Sequence, residues 1–262
     1  MATLDEVYPR KLNFGRVAER TVWVLGQQPV WVFGLALLLH GLPSAVSMYG
    51  LRELFADVDG PFFVFQSPLF WGHSIVSMLI SVFFEAAIIA VAVAALSGRP
   101  LQPRDVLLAG AKFFLPLFAV NLLAFLGIAL GCILLVVPGV MLALAWMVVG
   151  PALVVERTGI TEVFGRSADL TRDNRWRLFG LLLIYALASS IIGDNSAYRF
   201  NHHLGSPAEF IDMMFSPVRI GVRAVLGSVL QAIALTAMTV IYVELRTVKE
   251  GEAPADLDQV FT

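Results

Sequence analysis

The sequence predicts an all-α integral membrane protein with six transmembrane helices. Three observations predict it. Six long apolar stretches run through the chain, and only one of them carries a carboxylate, Glu85, in its interior. Hydrophobic residues make up 58% and charged residues 15%, with a mean hydropathy of +0.79, well outside the balance of a soluble domain. The basic residues gather in alternate gaps between the stretches. Because the apolar runs are continuous rather than alternating, a membrane β-barrel does not fit.

A hydrocarbon core of about 30 Å takes roughly 20 helical residues to cross. The spans are read at about 30–48, 69–95, 117–137, 140–155, 176–192 and 224–243, all within one polytopic domain covering 1–262, with 244–262 as a short tail. The fourth and fifth are short, so they borrow flanking Trp and Tyr at the interface or sit in thinned lipid. The six are expected to form three hairpins. Pro138-Gly139 is a tight turn signal between spans 3 and 4, whereas residues 49–68 and 193–223 make longer joints. In the last joint Ser206, Pro207 and Glu209 have the spacing of a capping box, which predicts a short outer helix.

Amphipathic segments are expected ahead of spans 1, 3 and 5, lying in the headgroup layer with their apolar faces inward. The first is Leu12 to Gly26, with Phe14, Val17, Val22 and Leu25 apolar and Arg16, Glu19 and Arg20 polar. The second is Val106 to Leu115, stopped or kinked by Pro116. The third is Thr161 to Leu170. A weak internal echo links Phe14-Gly15-Arg16 to Phe164-Gly165-Arg166, as three repeated units of interfacial helix plus hairpin would.

The cations set the orientation. Fourteen Lys and Arg fall in the N-terminal segment, the second and fourth gaps and the tail, against four (Arg52, Arg199, Arg219 and Arg223) in the other gaps. Under the positive-inside rule both termini are then cytoplasmic. No cleavable signal peptide is expected in 1–19, and the first span serves as the targeting signal. The single cysteine, Cys132, lies in span 3 and rules out an intrachain disulfide.

The stretch after span 4 holds the most chemical information. Pro138-Gly139, Glu156, Arg166-Ser167, Leu170-Thr171, Arg175-Trp176-Arg177 and the exit Tyr242-Val243-Glu244-Leu245-Arg246 together resemble a bacterial six-span family. That family is the membrane domain found attached to some glycerophosphoryl diester phosphodiesterases. The resemblance implies a bacterial inner-membrane location. It supplies no reaction, because none of the phosphodiesterase catalytic residues has a counterpart in this sequence.

On their own chemistry, Arg166, Arg172, Arg175 and Arg177 are guanidinium forks suited to phosphate, with Ser167, Thr171 and Asn174 as hydrogen-bonding groups. The competing reading makes these arginines topology determinants neutralised by Glu156, Glu162, Asp169 and Asp173. Glu85 is costly at membrane depth unless neutral or paired, and Asn121 is a candidate partner. His202-His203 lack a third ligand at suitable spacing, so neither a metal nor another cofactor is expected. No nucleotide-binding, hydrolase or zinc-protease motif is present.

The expected function is therefore non-enzymatic binding or an accessory role. Expected partners are membrane lipids, anionic ones among them, and a membrane-protein partner or second copy, with no nucleic acid. The alternatives are a small secondary transporter built on Glu85 and an interfacial lipid-directed enzyme.

Overall fold

The computed structural model describes residues 11–56, 67–192 and 215–251. Among the described residues there are no strands, and six helices are long and apolar enough to cross a membrane: Pro29–Arg52, Pro68–Leu96, Pro103–Leu134, Val136–Glu156, Glu162–Ile192 and Pro217–Glu250. The all-α membrane class read from the sequence is therefore observed. The joints at 57–66 and 193–214, with Ser206, Pro207, Glu209 and His202-His203, lie outside the described residues.

Helix α1 is Phe14–Gln27, started by Asn13, whose side chain accepts from the Arg16 N–H. The first span comprises α2 (Pro29–Leu35), a π-helical stretch Ala36–Gly41 and α3 (Leu42–Ala56). Proline is the first residue of four helices, α2, α4 (Pro68–Leu96), α5 (Pro103–Leu134) and α10 (Pro217–Glu250), where its missing N–H costs nothing. The fourth span is α6 (Val136–Ala145) and α7 (Val149–Glu156). The fifth stretch, Glu162–Ile192, is made of α8 (Glu162–Thr171), a 3₁₀ turn Arg172–Asn174 and α9 (Arg175–Ile192), of which α9 coincides with the span read at 176–192.

The second half of α4 is the bundle's axis. From Phe84 through Ala95 only Glu85 is not buried to the level of a core residue by whole-residue exposure. Its alanines let neighbouring backbones come close, which is how helices associate where lipid is as apolar as the protein. Around it pack α5, α10, α7, α2 and α1. Outer faces such as Leu122, Phe125 and Leu130 on α5 are exposed, the state expected of lipid-facing side chains.

Three boundaries differ from the sequence reading. Residues 106–115 form no separate helix: α5 runs unbroken from Pro103 to Leu134 with Pro116 inside it. One missing N–H is tolerated there because neighbouring turns hold the helix. The turn between spans 3 and 4 is made by Leu135 in extended conformation, and Pro138-Gly139 sit in the first turn of α6. Their role is close approach. The Gly139 Cα lies 2.9 Å from where a Cβ on Gly131 would stand, and a Cβ on Gly139 would overlap Cys132. Finally, the segment 244–250, read as the start of the tail, continues α10 as its last two turns.

Gly139→Leu should force α5 and α6 apart and destabilise the protein by about 1–3 kcal/mol as overpacking does. Gly34→Ala, where a Cβ meets nothing within 4 Å, should leave stability unchanged or slightly raised. Thermal unfolding of the detergent-solubilised pair by circular dichroism checks both.

Candidate functional site at the basic end of the bundle

Five element ends meet on one side of the bundle: the close of α4, the start of α5, the close of α7, the start of α9 and the close of α10. Helix α7 ends at Glu156, because Arg157 takes a left-handed conformation (φ 51°) and turns the chain. A carboxylate at a helix C-terminus faces the negative end of the peptide dipoles, so it needs cations. Helix α8 brings them back. Arg166 Nε donates to Glu156 Oε2 at 2.8 Å, and its Nη2 donates to Oε1 at 2.8 Å, a bidentate fork. Tyr242 of α10 donates its hydroxyl to the same Oε1 at 2.9 Å.

Arg246, one turn beyond Tyr242, donates to Glu250 at 2.7 Å and lies 3.9 Å from Glu156, while Arg166 also reaches Glu250. Two carboxylates, two guanidinia and a phenol thus tie α7, α8 and α10 into one cluster.

A second pairing holds α1. Glu244, 1% exposed, faces Arg20 at 2.6 Å and Arg16 at 3.4 Å. Arg16 pairs with Glu244, and Arg166, the matching residue of the Phe-Gly-Arg echo, reaches Glu250. Both arginines run to glutamates on the last turns of α10.

The polar residues singled out from the sequence mostly face inward. The break between α6 and α7 frees the Ala145 carbonyl, which accepts from Ser167 at 2.8 Å and from Thr171 at 3.3 Å. Both hydroxyls are buried there and dock α8 onto the helix break. Asn174 Oδ1 accepts from the Leu12 N–H at 2.9 Å, and Arg177 donates to the Leu12 carbonyl, so Leu12, just ahead of α1, is clasped by the 3₁₀ turn and α9. Arg172 pairs with Asp169 at 3.4 Å on the exposed surface, and Lys249 pairs with Asp173 at 3.2 Å.

Sequence reasoning offered Arg166 two roles, in a phosphate-binding set or neutralised by acids that include Glu156. In the structure it is paired with Glu156, as the second reading has it, and also with Glu250, which sequence reasoning did not name. Sequence reasoning also missed Tyr242 as the third partner of Glu156. Its signal was spacing: Tyr242, Arg246 and Glu250 fall one turn apart on α10.

Other cations are left over. Arg104, Lys112, Arg157 and Arg175 have no ion pair among the described residues, and Trp176 beside Arg175 is 86% exposed. Lys112 lies over the Phe113 ring at 5.7 Å. Elsewhere, Asn121 donates to Glu85 at 2.5 Å inside the bundle, and Glu85 packs against Gly150 of α7, where a Cβ would overlap its carboxylate. The partner expected for Glu85 is thus the one observed. No group of three or more metal-ligating side chains occurs among the described residues.

A model of the family described as Domain of unknown function (DUF7847) matches residues 68–245, from the start of α4 to the Glu244–Arg246 turn. The chain belongs to this family. Searches of curated proteins and of solved structures returned no match. The DUF7847 match encloses Glu85, Asn121, Glu156, Arg166, Tyr242 and Glu244, whereas Arg16 and Arg20, which clasp Glu244, lie before it.

Glu156→Ala would strand Arg166 beside Arg246. Its expected cost is near the lower end of the roughly 3–5 kcal/mol seen when one partner of a buried pair is removed, because Arg166 is part exposed. Arg172→Ala, which breaks only a surface pair, should change stability by less than about 0.5 kcal/mol. Comparing the two unfolding midpoints in the same detergent tests the contrast.

Proposed function

We propose that this DUF7847 protein is a non-enzymatic binding or accessory protein of the bacterial inner membrane, with its basic end in the cytoplasm. There it engages anionic phospholipid. One observation carries this reading. Glu156, Glu244, Glu250, Asp169 and Asp173 are paired with other cations, and Arg104, Lys112, Arg157 and Arg175 have no ion pair among the described residues. A juxtamembrane cation is worth about 1 kcal/mol against an anionic leaflet. The exposed Trp176 and Trp23 suit the headgroup layer at the same level.

In this reading α1 and α8 lie along the interface with Val17, Thr21 and Val24, and Val163, Ser167 and Leu170, turned toward the bundle. The three-hairpin plan and the likeness to the phosphodiesterase-associated membrane domain belong to the same proposal. Both agree with the positive-inside count.

The experiment is native mass spectrometry of protein released from membranes containing phosphatidylglycerol. Arg157→Gln and Arg175→Gln together should cut retained phosphatidylglycerol by about fivefold per cation removed, with all six spans still inserted. Retention equal to wild type would refute lipid binding by these cations.

A second reading, transport, is favoured by the Glu85–Asn121 pair in the interior. It predicts that Glu85→Gln abolishes proton-coupled flux in proteoliposomes while the protein still folds. Wild-type protein that moves no protons under a pH gradient would remove this reading.

A further inference from the structure

At the opposite end of the bundle, the end of the first span meets the end of α9 and the start of α10 around a cavity of about 390 Å³. That size falls within the range of small-ligand sites. The sequence explains why space is left there. The π-helical stretch Ala36–Gly41 adds a residue to its turn, and Gly41 fits against Ser228 and the Ala224 carbonyl, with an added Cβ at 3.3–3.4 Å from both. This holds the first span and α10 together just below the cavity. Beyond that contact the facing positions are small: Ser44, Ser47, Ser189, Ala224 and Gly227. A π-helical turn inside a span is itself a frequent mark of a functional position.

The lining is polar for a membrane bundle, and its polarity has one sense. Tyr185 donates its hydroxyl to Gln231 Oε1 at 2.9 Å, which leaves the Gln231 amide NH₂ as the free end. Arg223 lines the cavity and has no ion pair or hydrogen bond among the described residues. Ser189 Oγ and His40 Nδ1, on two further lining residues, are buried with no partner. Ser44 is already spent on the Gly41 carbonyl, and Ser47 on His73 of α4. The unspent groups are therefore mainly N–H and O–H donors around one fixed positive charge, and no carboxylate lines the cavity among the described residues. Unpaired donors at membrane depth are costly, and an acceptor-rich anion would satisfy them.

We infer that this cavity binds a small oxyanion, a phosphate ester, through the Arg223 guanidinium, the Gln231 amide and the Ser189 hydroxyl. Met48, Ile192 and Leu230 face its carbon portion. The inference is independent of the proposed lipid-binding cations, which lie at the other end of the bundle and include none of these residues.

The same chemistry can arrive as a soluble ester or as a lipid headgroup, and two assay arms separate them. Full-length protein in phosphatidylcholine nanodiscs is titrated with glycerol phosphate by isothermal calorimetry. In parallel, nanodiscs containing phosphatidylglycerol are assayed by native mass spectrometry. Binding in the first arm assigns a soluble ligand, and retention in the second alone assigns a headgroup where Arg223→Gln lowers it and Arg157→Gln with Arg175→Gln does not.

In either case Arg223→Gln should weaken binding about 10- to 100-fold, the scale of losing hydrogen bonds from a charged group. Gly227→Leu should block it by filling the cavity. A Cβ on Gly227 meets nothing within 4 Å, and leucine favours the helix over glycine, so this variant tests occupancy without disturbing the fold. Absence of binding in both arms, or binding that survives both substitutions, would overturn the assignment.

Discussion

The carboxylate of Glu156 is the constraint on which the basic end of this bundle depends. It is held at a helix C-terminus, where the backbone dipoles oppose a negative charge, and the chain answers with a bidentate arginine and a phenol. Those partners come from 10 residues later, on α8, and 86 residues later, on α10. A hydrogen-bonded charge cluster has directional requirements that apolar contacts lack. In a membrane protein, where apolar burial does little to choose one helix partner over another, such a cluster fixes which helix ends meet and at what height. Glu244 repeats the device for α1 with Arg16 and Arg20.

The two ends of the bundle are built on opposite principles. At the basic end Glu156, Glu250 and Asp173 are paired with cations from other elements, while several arginines have no ion pair among the described residues. At the other end small residues leave a polar space whose free groups are donors. Between them the alanine-rich half of α4 gives a tightly packed axis, interrupted only by the Glu85–Asn121 contact over Gly150. That contact closes a hydrogen bond between two spans in a medium with no water to satisfy either side chain.

Much of the architecture was legible in the linear pattern because membrane thickness imposes a length and lipid imposes a composition. The spans at 69–95 and 224–243 lie inside Pro68–Leu96 and Pro217–Glu250. What failed was punctuation. Pro116 did not end a helix, because a single lost N–H is cheap inside a long apolar helix whose other bonds persist. Pro138-Gly139 did not make the turn, because proline is well placed in the first turn of a helix and Gly139 was needed for contact with Gly131 and Cys132. Of the polar residues singled out, the pairs Arg166–Glu156, Arg172–Asp169 and Glu85–Asn121 were named from the sequence, whereas the partners of Ser167, Thr171 and Asn174 were not. Ser167 and Thr171 serve a carbonyl freed by a helix break at Ala145 that no periodicity announces.

By itself the sequence determined the all-α membrane class, the six spans and the asymmetric placement of charge. These are properties of segments and sums, set by hydropathy over about 20 residues and by which gaps hold arginine. Only the tertiary structure decided which charges are spent and which are free. Arg166 and Arg175 are chemically identical and nine residues apart. One is locked between Glu156 and Glu250, whereas the other stands without an ion pair beside an exposed tryptophan. The difference is made by α10, whose glutamate and tyrosine reach Arg166 and its partner from more than 75 residues away.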